Sequence, residues 1–367
     1  MIYFKKKLIK NFVINFYIFI NSFLVIINSL FYIENKKKDK IKIFYGGSLT
    51  GNIGGTLVKI KRLRKKFKNN FFGYNCVYLL SNSLYLNKYA IQNLKKNNIP
   101  IIHNQNGVYY KGWYGEGWEK KNIEMSYQFH SADYVFYQSK FSKFCSEKFL
   151  GKREGPGEIL YNAVDTNFFQ PRENKTLSSK LKILVTGKYQ VHLYENLIFI
   201  VNVLKKLIDN KIEANINFAG YYDVQIKKQL INLSHQYGIQ DNIEFSGIYT
   251  QENANVLYSF SDIYFYFVHQ SNCPNSVIEA MSCGLPVICQ STGGLPEIVN
   301  KESGICLQTK ESWDRPYVPS VEDAFFAVKK IINNYSDYSN NSINKVKRDH
   351  NINNWIKKHK EIFKKFI

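Results

Sequence analysis

The chain has 367 residues, of which 45% are apolar and 22% charged, so it is long enough for two domains that each bury a core. Fifty basic against 29 acidic residues leave a formal charge of +21, and the partners this favours are anionic: phosphates, acidic lipids or nucleic acid, unless a Lys- and Asn-rich composition alone produces the excess. Cys76, Cys145, Cys273, Cys283, Cys289 and Cys306 form no C-x-x-C pair and several fall in strand- or helix-like runs, which argues for a reduced, cytoplasmic compartment rather than a disulfide framework.

Asn11 to Ile33 carries no charge over 23 residues and lies between two groups of four lysines, Lys5, Lys6, Lys7 and Lys10 before it and Lys36, Lys37, Lys38 and Lys40 after it. That length suffices to span a bilayer. Asn11, Asn15, Asn21, Ser22, Asn28 and Ser29 nevertheless share one side of a helix, opposite Phe12, Phe16, Phe19 and Phe23. A helix lying in the membrane interface therefore fits nearly as well, and packing on the protein is the third reading. The balanced lysines leave orientation open, and the run is too long for a secretory signal. Residues 1–38 are expected to form a membrane-associating segment.

Lys40–Phe44 begins a strand, and Gly46, Gly47, Gly51, Gly54 and Gly55 crowd the loop that follows it. Their spacing is not G-x-G-x-x-G, so no nicotinamide cofactor is implied. In the next helix Leu57, Ile60, Leu63 and Phe67 make an apolar stripe, while Lys59, Lys61, Arg62, Arg64, Lys65, Lys66 and Lys68 cover the rest as a solvated face or a surface for anionic lipid. Cys76–Leu80 and Ile101–Ile102 read as buried strands around a helix near Tyr85–Leu94, the alternation of a parallel sheet. After His103 and Asn106, the aromatics Tyr109, Tyr110, Trp113, Tyr114 and Trp118 cluster in a polar, glycine-containing stretch, which suits stacking on a sugar or an acyl chain better than a core. Strands at Tyr134–Tyr137 and Glu158–Tyr161 close this half. Asn162-Ala163-Val164-Asp165, with Phe169 and Pro171, then leads into the polar run Arg172–Lys180 expected of a linker.

The second half repeats the pattern, with strands at Lys182–Thr186, Asn215–Ala219, Ile243–Phe245 and Ile263–Phe267 and a helix near Tyr194–Leu207. Such a series predicts a doubly wound sheet with ligands at the carboxyl ends of its strands, where Gly187-Lys188 leaves the first of them. Ser271–Val299 is the densest stretch. Ser276 and Glu279, three apart, predict a helix opened by a capping box; Gly284 and Pro286 stop it, and Val287, Ile288 and Cys289 form a buried strand before the Gly293-Gly294 turn and Glu297. A helix N-terminus gathers unpaired N–H groups and about half a positive charge, so the turn at Asn275, Ser276 and Val277 is a ready phosphate site. Asn354–Ile367 reads as an amphipathic helix.

The Ser271–Val299 and Asn162–Pro171 stretches resemble the donor site and interdomain signature of retaining glycosyltransferases of family 4, in the "glycosyl transferases group 1" superfamily with GT-B architecture. The resemblance runs over Lys40–Phe366. It implies an α/β protein of two Rossmann-like doubly wound parallel-sheet domains facing a cleft: an acceptor-side domain over 39–172, joined by the C-terminal helix 345–367, and a nucleotide-sugar domain over 173–344. It places Glu279 on the donor ribose, Gly293 and Gly294 near the diphosphate, and Gly54 and Gly55 on an acceptor and phosphate loop. The family's first acid falls on Ser271, which leaves the sugar open. Its Gly-Arg pair becomes Gly187-Lys188, and a lysine five residues on becomes Leu193, with His192 beside it. A sugar-contacting histidine aligns with either His103 or Asn106.

The implied function is metal-independent transfer of a sugar from a UDP-, GDP- or ADP-sugar to a glycan or lipid-linked acceptor with retention, as in polysaccharide or lipopolysaccharide biosynthesis at the inner face of the cell membrane. No D-x-D pair occurs in the chain, so no metal site is expected, and no cofactor besides the substrate. Two rivals use the same architecture: a non-hydrolysing sugar-nucleotide epimerase, and a catalytically degenerate binding protein. No helix-turn-helix, zinc-finger or RNA-binding signature supports a nucleic-acid partner.

Overall fold

Alternating apolar runs and amphipathic helices build two parallel sheets, seen in a computed structural model that describes residues 2–30, 40–48 and 55–367. Gly51, Gly54 and the lysines at 36–38 lie outside the described residues. The chain divides into one unit made of residues up to Tyr109, Gly117–Leu160 and Asn353–Ile367, and a second made of Tyr110–Glu116 and Tyr161–Ile352.

The first unit opens with a long helix, α1 (Ile2–Leu30). Its sheet runs in the order β1 (Ile43–Phe44), β2 (Cys76–Leu80), β3 (Ile101–Gln105), β4 (Tyr134–Tyr137) and β5 (Gly157–Ile159), every neighbouring pair parallel. Between the strands lie α2 (Gly55–Arg64), α3 (Lys88–Lys96), α5 (Trp118–Ser131) and α6 (Lys140–Leu150); the short α4 (Lys111–Tyr114) belongs to the second unit. Near-continuous apolar strands are what a sheet covered on both faces requires, and all of β2, β3 and β4 is buried.

The second unit holds β6 (Leu181–Tyr189), α7 (Tyr194–Asp209), β7 (Ala214–Tyr222), α8 (Val224–Gln236), β8 (Ile243–Gly247), α9 (Gln251–Ser259), β9 (Ile263–Tyr266), α10 (Asn275–Ser282), β10 (Val287–Gln290), α11 (Leu295–Ile298), β11 (Gly304–Leu307), α12 (Val321–Asn333) and α13 (Tyr335–Asp349). Its six strands are parallel in the order β11-β10-β9-β6-β7-β8. Both sheets start their strands with the same device. Asp133 before β4 accepts from the Ile101 N–H at 2.8 Å, and Asp262 before β9 accepts from the Lys182 N–H at 2.8 Å, so a carboxylate ties each strand to the start of its neighbour.

The chain ends in α14 (Ile352–Phe366), whose Trp355, Ile362 and Phe363 are buried in the first unit. Phe363 meets Phe67 at 5.2 Å, and His359 Nε2 lies 3.0 Å from the Tyr78 hydroxyl. The polar run at 172–180 is tied down as well. Lys175 Nζ donates to the carbonyls of Ser261 and Cys283, both at 3.0 Å, the latter at the C-terminus of α10, where a cation complements the helix dipole. Burial pulls its pKa down to about 8.

Candidate nucleotide-sugar site

In the second unit β6 comes first in the chain, β7 and β8 are laid on one side of it, and β9, β10 and β11 on the other. The order therefore reverses between β6 and β9, and open α/β sheets bind ligands at the carboxyl ends of the strands flanking such a reversal. The residues leaving those ends are Gly187 and Lys188 on β6 and the loop from Phe267 to Ser271 after β9.

Helix α10 starts in the same region, but not as a capping box. Its N-cap is Pro274, with no side-chain cap bond, and Asn275 is already helical. Ser276 is thus the second helical residue and Glu279 the fifth, two positions deeper than a capping box requires, and Pro274 has no N–H for it to accept from. Helix geometry leaves the N–H groups of Ser276 and Val277, in the first turn, without intrahelical acceptors. Val277 itself is fully buried, so only its backbone can serve a ligand.

Glu279 is 8% exposed and stands beside a buried hydroxyl cluster. Thr186 Oγ1, at the end of β6, is 2.6 Å from the Tyr264 hydroxyl of β9, and the Ser276 hydroxyl also bonds Tyr264. Burial pushes Tyr249, Tyr258 and Tyr264 upward, and the Glu279 charge adds to that push on Tyr249 and Tyr258. Raised in this way, the three phenols are uncharged at neutral pH.

Ser271 is held rather than loose. Its Oγ lies 3.0 Å from the Tyr266 hydroxyl, and its carbonyl accepts from the Gly294 N–H at 2.8 Å. Gly293 has φ +68°, and a Cβ there would lie 2.5 Å from the Ser271 carbonyl oxygen, so only glycine lets the two loops close on each other. The Asn162–Asp165 element fastens this arrangement from a distance in sequence. Asn162 Nδ2 donates to the Cys273 carbonyl at 2.6 Å just before α10, and Tyr161 donates to Glu297 Oε2 at 2.8 Å on α11. Behind it, His350 Nδ1 lies 2.9 Å from the Asn162 carbonyl, and Val164 bridges to Asn351.

Two features escaped the sequence reading. Gln270 has φ +49°, is 3% exposed and pairs neither atom of its amide, a combination that costs free energy and collects at functional sites. Its sequence signal is only its place in the polar Gln270–Asn275 run after a β-strand. The second is a groove of about 540 Å³ at the ends of β6 and β7, lined by Gln190, Val191, His192, Tyr221 and Asp223 and by the α4 segment with Trp113 and Tyr114. The α4 segment is anchored in the same unit: the Gly112 N–H donates to the Trp313 carbonyl at 2.7 Å, and Tyr110 meets the Trp313 ring at 5.2 Å. Lys188 Nζ lies 5.7 Å from the Tyr221 ring beside this groove. Leu193 is the N-cap of α7, and burial lowers the His192 pKa.

In the first unit Asn106 follows β3, whereas His103 lies within it. His103 is fully buried, its Nε2 is 2.9 Å from Gln105 Oε1, and burial lowers its pKa to about 4, so it has no route to a solute. Asn106 sits in a polar knot: its N–H donates to Ser81 Oγ at 3.0 Å, its Nδ2 to Asn82 Oδ1 at 2.9 Å, and its Oδ1 accepts from Gln138 and, at 3.3 Å, from Lys59 Nζ. Lys59 is 3% exposed and also bonds Asn104, so the expectation that it covers a solvated basic face is corrected: amide oxygens from the end of β3 draw it inward. Gly55 begins α2, and Gly54 lies outside the described residues.

Residues 153–315 match the family model described as Glycosyl transferases group 1. A curated relative, N-acetyl-alpha-D-glucosaminyl L-malate synthase of Bacillus anthracis, is 23% identical over 147 residues, which is 39% of this chain and 37% of that protein. The chain spans about a third to a half of the length of the curated relatives it matches. Among solved structures, sucrose-phosphate synthase from Thermosynechococcus elongatus superposes with TM-score 0.65 at 16% identity, over 91% of this chain and 80% of that one. HepE from Anabaena, solved with UDP and glucose, superposes with TM-score 0.69 at 12% identity, over 89% of this chain and all of that one. The chain thus has the two-sheet parallel α/β fold of GT-B glycosyltransferases, and the part of it from 153 to 315 is similar to the group 1 glycosyl transferases.

Proposed function

We propose that the protein is a retaining, metal-independent glycosyltransferase of the family 4 type that moves a sugar from a nucleoside diphosphate sugar to a glycan or lipid-linked acceptor. The observation that carries this reading is the convergence, at the strand reversal within the part similar to group 1 glycosyl transferases, of a helix N-terminus, a cation and a nearly buried carboxylate. The carboxylate of Glu279 accepts from the ribose hydroxyls. The N–H groups of Asn275, Ser276 and Val277, the Gly293–Gly294 turn, Gly187 and Lys188 face the diphosphate. Ser271, bonded to Tyr266, lies toward the transferred sugar. Gly54 and Gly55 belong to the acceptor and phosphate loop, and Asn106, fixed by Lys59, replaces a sugar-contacting histidine.

In the transfer, the bond from the anomeric carbon to the diphosphate oxygen breaks and a bond from the acceptor oxygen forms on the same face. The acceptor proton passes to the departing phosphate, so no protein nucleophile is required. Donors aimed at the charge that grows on the diphosphate form the largest catalytic contribution, and Lys188 with the α10 N-terminus supplies them. A uridine nucleotide is the first donor to try, because HepE was solved with UDP and glucose. The apolar Phe12–Ser29 stretch of α1, long enough to cross a membrane by length and composition, supports a place at a membrane, and we assign the enzyme to its cytoplasmic face.

Thermal shift of the full chain with UDP, GDP, ADP and their sugars tests the donor. A ligand at about 100 times its dissociation constant stabilises the fold by about 2.7 kcal/mol. A protein whose melting temperature responds to none of them, and which releases no nucleoside diphosphate in the presence of glycan or lipid acceptors, is not this enzyme.

A further inference from the structure

From Asn21 onward helix α1 is packed with its polar side inward, whereas Asn15 is exposed. Asn21, Ser22, Asn28 and Ser29 are all buried, and the contacts they and Tyr17 make are specific. Tyr17 donates to the Gly47 carbonyl at 2.6 Å, the Asn87 N–H donates to Ser22 Oγ at 3.0 Å, and the Gly73 N–H donates to Asn28 Oδ1 at 2.7 Å. Gly47, at φ +82°, is matched to this docking, since a Cβ there would lie 2.6 Å from the Asn21 side chain. The opposite side of the helix is a ridge of rings in solvent: Phe12, Phe16, Phe19 and Phe23 are 71%, 56%, 62% and 52% exposed. The spacing i, i+4, i+7, i+11 keeps the four on one face, and over 18 residues the helix is about 27 Å long.

Two more exposed rings, Phe71 and Phe72, precede the Gly73 that binds Asn28, so they adjoin the C-terminal part of α1. Lys65, Lys66 and Lys68, just before them, are exposed too. An apolar ridge bordered by cations has the chemistry of an anionic bilayer interface, where rings reach the acyl boundary and ammonium groups meet lipid phosphates. A spanning orientation conflicts with the same contacts. It would pull four polar side chains from their seats into hydrocarbon and strip Gly47, Gly73 and Asn87 of their partners.

We propose that α1 is a monotopic element that lies in the plane of an anionic membrane, with Phe12, Phe16, Phe19, Phe23, Phe71 and Phe72 inserted and its polar stripe bonded to the first unit. The proposal deepens the membrane reading above and rests on no assumption about catalysis. Flotation of the full chain with vesicles of phosphatidylcholine and phosphatidylglycerol, 7:3, against pure phosphatidylcholine, reads it without a donor or acceptor. The parent should float with the mixed vesicles and at least tenfold less with the neutral ones. Phe12→Ser/Phe16→Ser/Phe19→Ser/Phe23→Ser should lose flotation tenfold or more while keeping the parent's melting temperature. Asn21→Leu/Ser22→Leu/Asn28→Leu should melt lower and float no better. The proposal is overturned if the serine variant floats like the parent, or if neutral vesicles serve equally well. It is equally overturned if the leucine variant keeps its melting temperature and floats better, the behaviour of a spanning helix. A parent that stays unbound as a dimer, where light scattering finds the serine variant monomeric, would assign the ridge to self-association instead.

Discussion

Replacing Glu279 by glutamine separates binding from stability at the proposed donor site. The carboxylate is 8% exposed on the second turn of α10, beside Tyr249 and Tyr258, whose pKa values are raised first by burial and then further by this charge. Because the N-cap is Pro274, the side chain has no capping role to lose. Glutamine keeps the shape and removes a charge that burial disfavours, so the free protein should melt at the parent's temperature or slightly above it, as happens when a functional residue is relaxed. Donor binding should weaken. Hydrogen bonds to a charged group contribute about 1.5–3 kcal/mol against about 0.5–1.5 for neutral ones, and losing the charge on a carboxylate shared by two ribose hydroxyls costs about 1.5–3 kcal/mol in all. At 1.4 kcal/mol per decade this is about 10- to 100-fold in dissociation constant. Glu279→Ala adds a cavity and should lower the melting temperature as well. Calorimetric titration with the nucleoside diphosphate sugar, alongside a melt of each ligand-free variant, decides. Parent-like affinity in Glu279→Gln would refute the ribose assignment, and a melting temperature several degrees lower would show a structural role instead.

Lys188→Met should lower kcat by on the order of 100-fold, as loss of one preorganised donor does, while Lys188→Arg restores most of it; a kcat within threefold of the parent in Lys188→Met removes the lysine from the mechanism. Turnover should persist in excess EDTA, and loss of activity that manganese or magnesium restores would contradict metal-independent transfer. Burial holds His103 and His350 to pKa values of about 4 and His359 to about 3, against 6.5 ordinarily. Between pH 6.5 and about 4 the unfolded chain therefore binds protons that the folded chain refuses, so the melting temperature should fall as pH is lowered through this window, and less steeply in His359→Gln. An unchanged melting temperature between pH 7 and 4.5 would show that these imidazoles are not buried neutral.

Much of the architecture was legible because it rests on local chemistry. Apolar runs of strand length such as Cys76–Leu80 and Val287–Cys289, set between amphipathic helices, specify parallel sheets regardless of distant partners, and Gly284 with Pro286 ends α10 as read. The Asn162–Asp165 element was also visible, though not that it clamps the loop ahead of α10. What only the tertiary structure decided concerns polar groups. Ser276 and Glu279 match a capping box by spacing, yet the chain entering through Pro274 starts the helix one residue before Ser276 and puts both beyond reach of the cap. Lys59 belongs to a run of cations in sequence but is drawn inward by Asn104 and Asn106, more than forty positions away. The Asn and Ser stripe of α1 is the same case: periodicity shows that it exists, while only Gly47, Gly73 and Asn87 determine that it faces in. Apolar burial is non-directional and leaves a periodic trace in the chain, whereas a polar side chain is buried only where a specific partner meets it, and that partner comes from elsewhere in the sequence.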